Sequence, residues 1–175
     1  DASLWRDQLP ALRAAGRDAH VTDVHARHAT LPEMAAALLA EHPGPLVLVG
    51  TSMGGILAFE VLRQAPDRVK ALALLGSTAR PDTPEMIAYR NDAIVLFEQG
   101  RIDEVLQTNL RFVFHPSRLA DEALVTDYFA MIHRAGVAQL IRQNRAIMAR
   151  ADSRPLLPTI GCPVLVVCGD SDAST

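Results

Sequence analysis

The sequence predicts an α/β fold: a parallel sheet with crossover helices, and an all-helical segment inserted between two of its strands. Three observations predict it. The continuous apolar run Pro45–Val49 reads as a strand buried on both faces, because a half-exposed strand would alternate apolar and polar residues, and Val69–Leu75 and Val164–Cys168 read as a second and a third apolar strand. A helical pattern separates the first two runs, and strand–helix–strand alternation argues for parallel pairing. From Arg80 to Pro158 only helical periodicity is found, over a stretch too long for a loop.

The chain has 175 residues, 49% of them apolar and 21% charged, which suits one ordinary domain or a piece of a larger one. That composition excludes a disordered or fibrous chain. Seventeen basic and 20 acidic side chains are interspersed, for a net charge of −3, so no nucleic acid or membrane surface is expected as a partner. No apolar run reaches the roughly 18 residues of a membrane span. Cys162 and Cys168 flank the last strand and stand about 20 Å apart, at roughly 3.3 Å per residue. A disulfide needs Cα atoms within about 7 Å. The two therefore cannot pair with each other, and a reducing, cytoplasmic setting is expected.

Element by element, Ser3 is placed to cap a helix over Leu4–Ala15, which Pro10 should kink or split and Gly16 should stop. Ala19–Val24 is a weak strand candidate. Thr30 and Glu33 form a capping box for a helix through Met34, Leu38 and Leu39, closed by His42-Pro43-Gly44. A further helix runs through Ile56, Leu57, Phe59, Val61 and Leu62 and ends near Ala65-Pro66. In the insertion, Asp82 and Glu85 can box a helix through Met86, Ala93 and Phe97 that Gly100 stops. Helices follow over Val105–Val113, Leu119–His133 and Val137–Met148, the last with an apolar stripe from Val137 to Met148. The expected organisation is core at 1–79, a helical cap at 80–158, and core again at 159–175.

The chemistry sits at Gly50-Thr51-Ser52-Met53-Gly54, a G-x-S-x-G pattern between an apolar strand and a helix. Turning from strand to helix in one residue forces the serine into a strained conformation that lifts its hydroxyl clear of the sheet. Gly50 and Gly54 are then expected to be small because larger side chains would collide. The helix start sets the Met53 N–H beside the hydroxyl, as one half of an oxyanion hole. A plain strand-to-helix turn is the alternative. A phosphate-binding loop fits worse, since no lysine follows the glycines.

On these residues the chain resembles an α/β-hydrolase of the cap-bearing, cofactor-free kind, from the helix containing Trp5 to the Gly169-Asp170-Ser171-Asp172 loop. The resemblance implies Ser52 as nucleophile and, from the G-x-x-D pattern after the last strand, Asp172 as triad acid. Asp170 is the close competitor and Asp82 a distant one. It also implies a histidine after the acid and a histidine-glycine segment before the first helix, supplying the second oxyanion N–H. Neither falls within these 175 residues: His20, His25, His28, His42, His115 and His133 all precede Asp172, so the catalytic histidine is expected to be absent from this chain. The chain opens on Asp1 and closes on a polar loop after an apolar strand, and the expectation is a fragment lacking both ends, inactive and poorly folded by itself.

The function expected is a serine hydrolase acting on a small-molecule carboxylic ester or related acyl compound, with no cofactor and no metal. Acyl transfer, carbon–carbon bond hydrolysis and a non-catalytic ligand receptor are the alternatives. His20, His25 and His28 are spaced poorly for a metal. Met86, Tyr89, Phe97, Phe112, Phe114, Tyr128, Phe129 and Met131 read mainly as cap core, and Arg142, Arg145 and Arg150 as a solvated helix face.

Overall fold

A computed structural model describes residues 1–172. Three parallel strands form its sheet in the order β1 (Leu46–Thr51), β2 (Val69–Leu75), β3 (Val164–Val167). Thr51 pairs with Leu75 and Leu75 with Val167, so all three strands end level at one rim.

The N-terminal segment departs from expectation. A 3-10 turn at Ala2–Trp5 is capped by Asp1, whose carboxylate accepts the Ser3 N–H. Helix α1 (Gln8–Ala14) starts late enough that Pro10 falls in its first turn, where the missing N–H leaves no ladder bond broken. Gly16, at φ +70°, ends it as expected. Residues 19–23 form no strand; Thr22 instead accepts the Val24 N–H, and the four-residue helix α2 (Val24–Arg27) follows. Short polar side chains that bond their own backbone compete with a ladder.

Helix α3 (Leu31–Glu41) has the expected capping box, with Thr30 and Glu33 each bonding the other's backbone. Arg68, just before β2, donates to the carbonyls of Leu39, His42 and Gly44 and so closes the far end of α3. Helix α4 (Met53–Gln64) crosses from β1 to β2. Together α3 and α4 cover one face of the sheet: Leu48, Leu72 and Leu74 are buried against Met34, Leu38, Leu57, Phe59 and Val61. Each such side chain stabilises the fold by about 1.5–3 kcal/mol.

The other face is bare among the described residues. Val47 is 67% exposed, Val49 and Leu165 are exposed too, and every residue of β3 is exposed. Burial of β1 on both faces is thus not observed, because α3 and α4 both pack on the same side.

Between β2 and β3 the described elements are helical: α5 (Pro84–Glu98), α6 (Ile102–Val113) and α7 (Glu122–Met148), with 3-10 turns at Pro116–Arg118 and Arg154–Thr159. Helix α7 is two helices joined at Gly136, whose φ 74° and ψ 161° are not helical, in keeping with the two segments expected. A second apolar cluster, Ala93, Phe97, Val105 and Leu140, ties these helices together. Phe114 and Tyr128 meet edge to face, but Phe112 and Tyr89 are exposed, so the expected core holds only part of the aromatic set.

Asp82 does not cap α5. Thr83 does, accepting the Met86 N–H. The Asp82 side chain is instead fully buried between Arg90 and Arg150, each 2.7 Å away, and the Arg150 side chain is 2% exposed. The Arg150 nitrogen approaches Asp82 Oδ1 off the line of a hydrogen bond, so this contact is an ion pair. Arg150 also donates to the Arg80 carbonyl at 2.8 Å, and Ser153 N–H to the Ala79 carbonyl at 2.9 Å. The two crossings between sheet and insertion are thereby tied side by side. Arg150 therefore does not belong to a solvated face. Arg142 donates to the Ala26 carbonyl, and Arg145 pairs with Glu98. Cys162 and Cys168 form no disulfide with each other. No helix among the described residues is long and apolar enough to cross a membrane.

Candidate active site

Ser52 stands between the last residue of β1 and the first of α4, at φ 49° and ψ −115°. Among the described residues it is the sole non-glycine with a positive φ. Such a conformation costs roughly 1–3 kcal/mol and persists only where its surroundings enforce it. They do so here. The Ser52 N–H donates to the Leu75 carbonyl of β2 at 3.0 Å, and the Ser52 carbonyl accepts from the Gly55 N–H at 3.0 Å and the Ser77 hydroxyl at 2.9 Å.

The close approach that the motif demands lies at Gly50, where a Cβ would fall 2.5 Å from Gly55 N and collide with the Gly54 carbonyl. At Gly54 the geometry differs from expectation: a Cβ there would meet nothing within 4 Å. The second crowded glycine is Gly55, whose Cβ would fall 2.5 Å from Ser77 Cβ. The turn is tight against its own helix on one side and against the end of β2 on the other.

Ser52 is exposed, and Met53 follows as the first residue of α4. The Met53 N–H, in the first turn, has no acceptor within its own helix and carries the positive end of the helix dipole. Such a donor beside an exposed hydroxyl can stabilise negative charge on an oxygen bound there.

Asp172 lies beyond the end of β3 and is half-buried. Its N–H donates to the Gly169 carbonyl at 3.1 Å, and its Oδ2 accepts from the Cys168 thiol at 3.8 Å. The same oxygen would sit 3.5 Å from a Cβ on Gly76, the residue after β2. Residues 75–77 therefore touch Ser52 on one side and Asp172 on the other. Two strand spacings, roughly 10 Å, separate the backbones that carry them. An imidazole hydrogen-bonded on both sides spans about 8 Å.

Asp170 points elsewhere: it is exposed and accepts from the neighbouring Ser171 hydroxyl. Asp82 is occupied by its two arginines. The histidines have other surroundings. His20 stacks on His42 at 5.6 Å, His115 bonds Ser117 at 2.7 Å and His133 pairs with Asp103 at 2.7 Å. His25 and His28 belong to α2 and its end, where burial pushes the His25 pKa down. Among the described residues no three His, Cys, Asp or Glu side chains gather as a metal set. Sequence reasoning missed Ser77 and Cys168; the only trace of either was a small polar residue just past an apolar strand.

A family model described as the alpha/beta hydrolase fold matches residues 3–175. A pimeloyl-[acyl-carrier protein] methyl ester esterase of Neisseria meningitidis is 28% identical over 148 residues, covering 81% of this chain and 56% of that protein. One from Chromobacterium violaceum is 29% identical over 171 residues, covering 89% and 66%. Among solved structures, a thermophilic esterase from Thermogutta terrifontis superposes with a TM-score of 0.74 at 28% identity, over 81% of this chain and 54% of that one. An enol-lactonase from Burkholderia xenovorans shares the fold, with a TM-score of 0.77 at 22% identity over 99% and 70%. The chain spans little more than half the length of the Neisseria relative and of the Thermogutta esterase.

Proposed function

Because the chain belongs to the α/β-hydrolase fold family, we propose that it carries the nucleophile and acid of a serine hydrolase that cleaves a carboxylic ester through an acyl-enzyme. Ser52 Oγ attacks the ester carbonyl. The Met53 N–H stabilises the oxyanion of the tetrahedral intermediate. The alcohol leaves with a proton from a histidine, water hydrolyses the acyl-enzyme, and Asp172 orients that histidine. The base is the histidine that the family order sets after the acid; none of the six in this chain stands there. Residues 80–158 form the cap.

The observation that carries this reading is the strained Ser52, exposed at the rim of the sheet with a helix N-terminus behind it. Hydrolysis is favoured over acyl transfer by the esterase names of the relatives in both comparisons. A small acyl ester, of the methyl-ester kind that the Neisseria and Chromobacterium relatives are named for, is the substrate class proposed.

The test is an alkyl fluorophosphonate applied to the full-length natural protein, followed by peptide mass spectrometry. An adduct is expected on Ser52 and on no other serine, because only an activated hydroxyl reacts quickly. Ser52→Ala should abolish both labelling and turnover of a short p-nitrophenyl ester, by about 10⁶-fold in kcat. Labelling that survives this substitution would overturn the assignment.

A further inference from the structure

The end of β2 holds Ser52 by both of its peptide groups. On the N-terminal side, the Leu75 carbonyl accepts the Ser52 N–H at 3.0 Å. On the C-terminal side, the Ser77 hydroxyl donates to the Ser52 carbonyl at 2.9 Å. We propose that Ser77 is a positioning residue for the nucleophile, holding the strained φ and ψ of Ser52 through its carbonyl. This rests on the reading of Ser52 as nucleophile.

The two dihedrals of Ser52 lie between those two peptide groups. With both planes fixed from the same strand end, neither φ nor ψ can relax without breaking a hydrogen bond. The helix itself offers the Ser52 carbonyl the Gly55 N–H at 3.0 Å and the Ile56 N–H at a longer 3.3 Å. Those donors move with α4. Ser77 lies two residues past the end of β2, outside the helix, and so ties the carbonyl to the end of the sheet.

Packing supports the same role. The Ser77 side chain occupies the space beside Gly55, so that a Cβ on Gly55 would fall 2.5 Å from Ser77 Cβ. Glycine at 55 is thus the condition for Ser77 to reach the turn, which explains the second glycine of Ser52-Met53-Gly54-Gly55. Gly54, by contrast, has no neighbour that a Cβ would strike. Ser77 acts on the backbone of Ser52, and its effect falls on the aim of the hydroxyl. A misplacement of about 1 Å at a reacting atom can cost on the order of 100-fold in rate.

The experiment is Ser77→Ala and Ser77→Cys in the full-length natural protein, read by fluorophosphonate inactivation rate, kcat, KM and melting temperature. Ser77→Ala should slow inactivation and kcat by about tenfold, the worth of one lost hydrogen bond, with KM changed less than about twofold and cooperative melting retained. Ser77→Cys keeps a weak donor of similar size and should fall between the alanine variant and the wild type. Wild-type inactivation of Ser77→Ala overturns the proposal. So does a loss of kcat that tracks a loss of cooperative melting, or a cysteine variant no better than alanine. A wild type that is not labelled at Ser52 overturns the nucleophile reading, and Ser77 with it, whatever the variants do.

Discussion

At the end of β1, Ser52 is bonded through its N–H to the last residue of β2 and through its carbonyl to Ser77 just past it, backed by α4, and hemmed in by Gly50 and Gly55. At the end of β3, Asp172 follows a short turn in which its N–H donates to the Gly169 carbonyl and its carboxylate accepts from the Cys168 thiol, and the strand that leads to it is exposed along its whole length. The two residues share a rim, with residues 75–77 between them, but differ in what surrounds them: Ser52 sits in a crowded strand-to-helix turn, Asp172 after an exposed strand. A nucleophile must be aimed at a carbonyl to within a fraction of an ångström. An acid that orients an imidazole works through one hydrogen bond, and a looser mount can serve.

That contrast can be broken or sharpened in three ways, all in the full-length natural protein. The largest effect is expected at the acid. Asp172→Asn should lower kcat by about 10⁴-fold, whereas Asp170→Asn should change it by less than about threefold; steady-state kinetics on a p-nitrophenyl ester decides. If Asp170→Asn is the dead variant, the contrast has been drawn with the wrong carboxylate.

Next comes Asp82, the third carboxylate near a strand end. Asp82→Ala strands two arginines, one of them buried, and should cost about 3–5 kcal/mol in denaturant unfolding. The remaining folded fraction should still be labelled at Ser52. A folded Asp82→Ala protein that has lost labelling would move Asp82 into the chemistry. The smallest effect compares two glycines. Gly50→Ala should destabilise by about 1–3 kcal/mol through overpacking. Gly54→Ala, with open space at its Cβ and a helical position, should be neutral or stabilise by up to about 1 kcal/mol. Equal losses in thermal melts would mean that the turn is not crowded on one side only.

The same contrast decided what could be read in the sequence. A tight turn writes its demands as residue types, and Gly50, Ser52 and their flanking strand and helix were legible for that reason. The turn after β3 carries two carboxylates, Asp170 and Asp172, and residue types alone do not choose between them. Spacing alone misplaced the crowding onto Gly54, since whether a Cβ fits depends on what β2 brings alongside. Strand composition did not tell which faces would be covered, because β1 and β3 are apolar on both sides while α3 and α4 pack on only one. Arg150 read as a surface residue because its partner, Asp82, is far off in sequence. Periodicity, by contrast, found the insertion helices and the interruption between the last two.

That interruption, at Gly136, divides the longest helix into two lengths with separate attachments. The C-terminal length holds Ala146 and Ile147 against the sheet's core and leads to Arg150 in its ion pair. The N-terminal length carries Tyr128, which meets Phe114 and Phe129 edge to face, and does not share those anchors. Because a glycine in a non-helical conformation separates them, substitutions in one length need not propagate along a continuous rod to the other. The aromatic length is thus mechanically separate from the length that fastens the insertion to the sheet's core. A lineage could change what its insertion presents without renegotiating how the insertion is fastened.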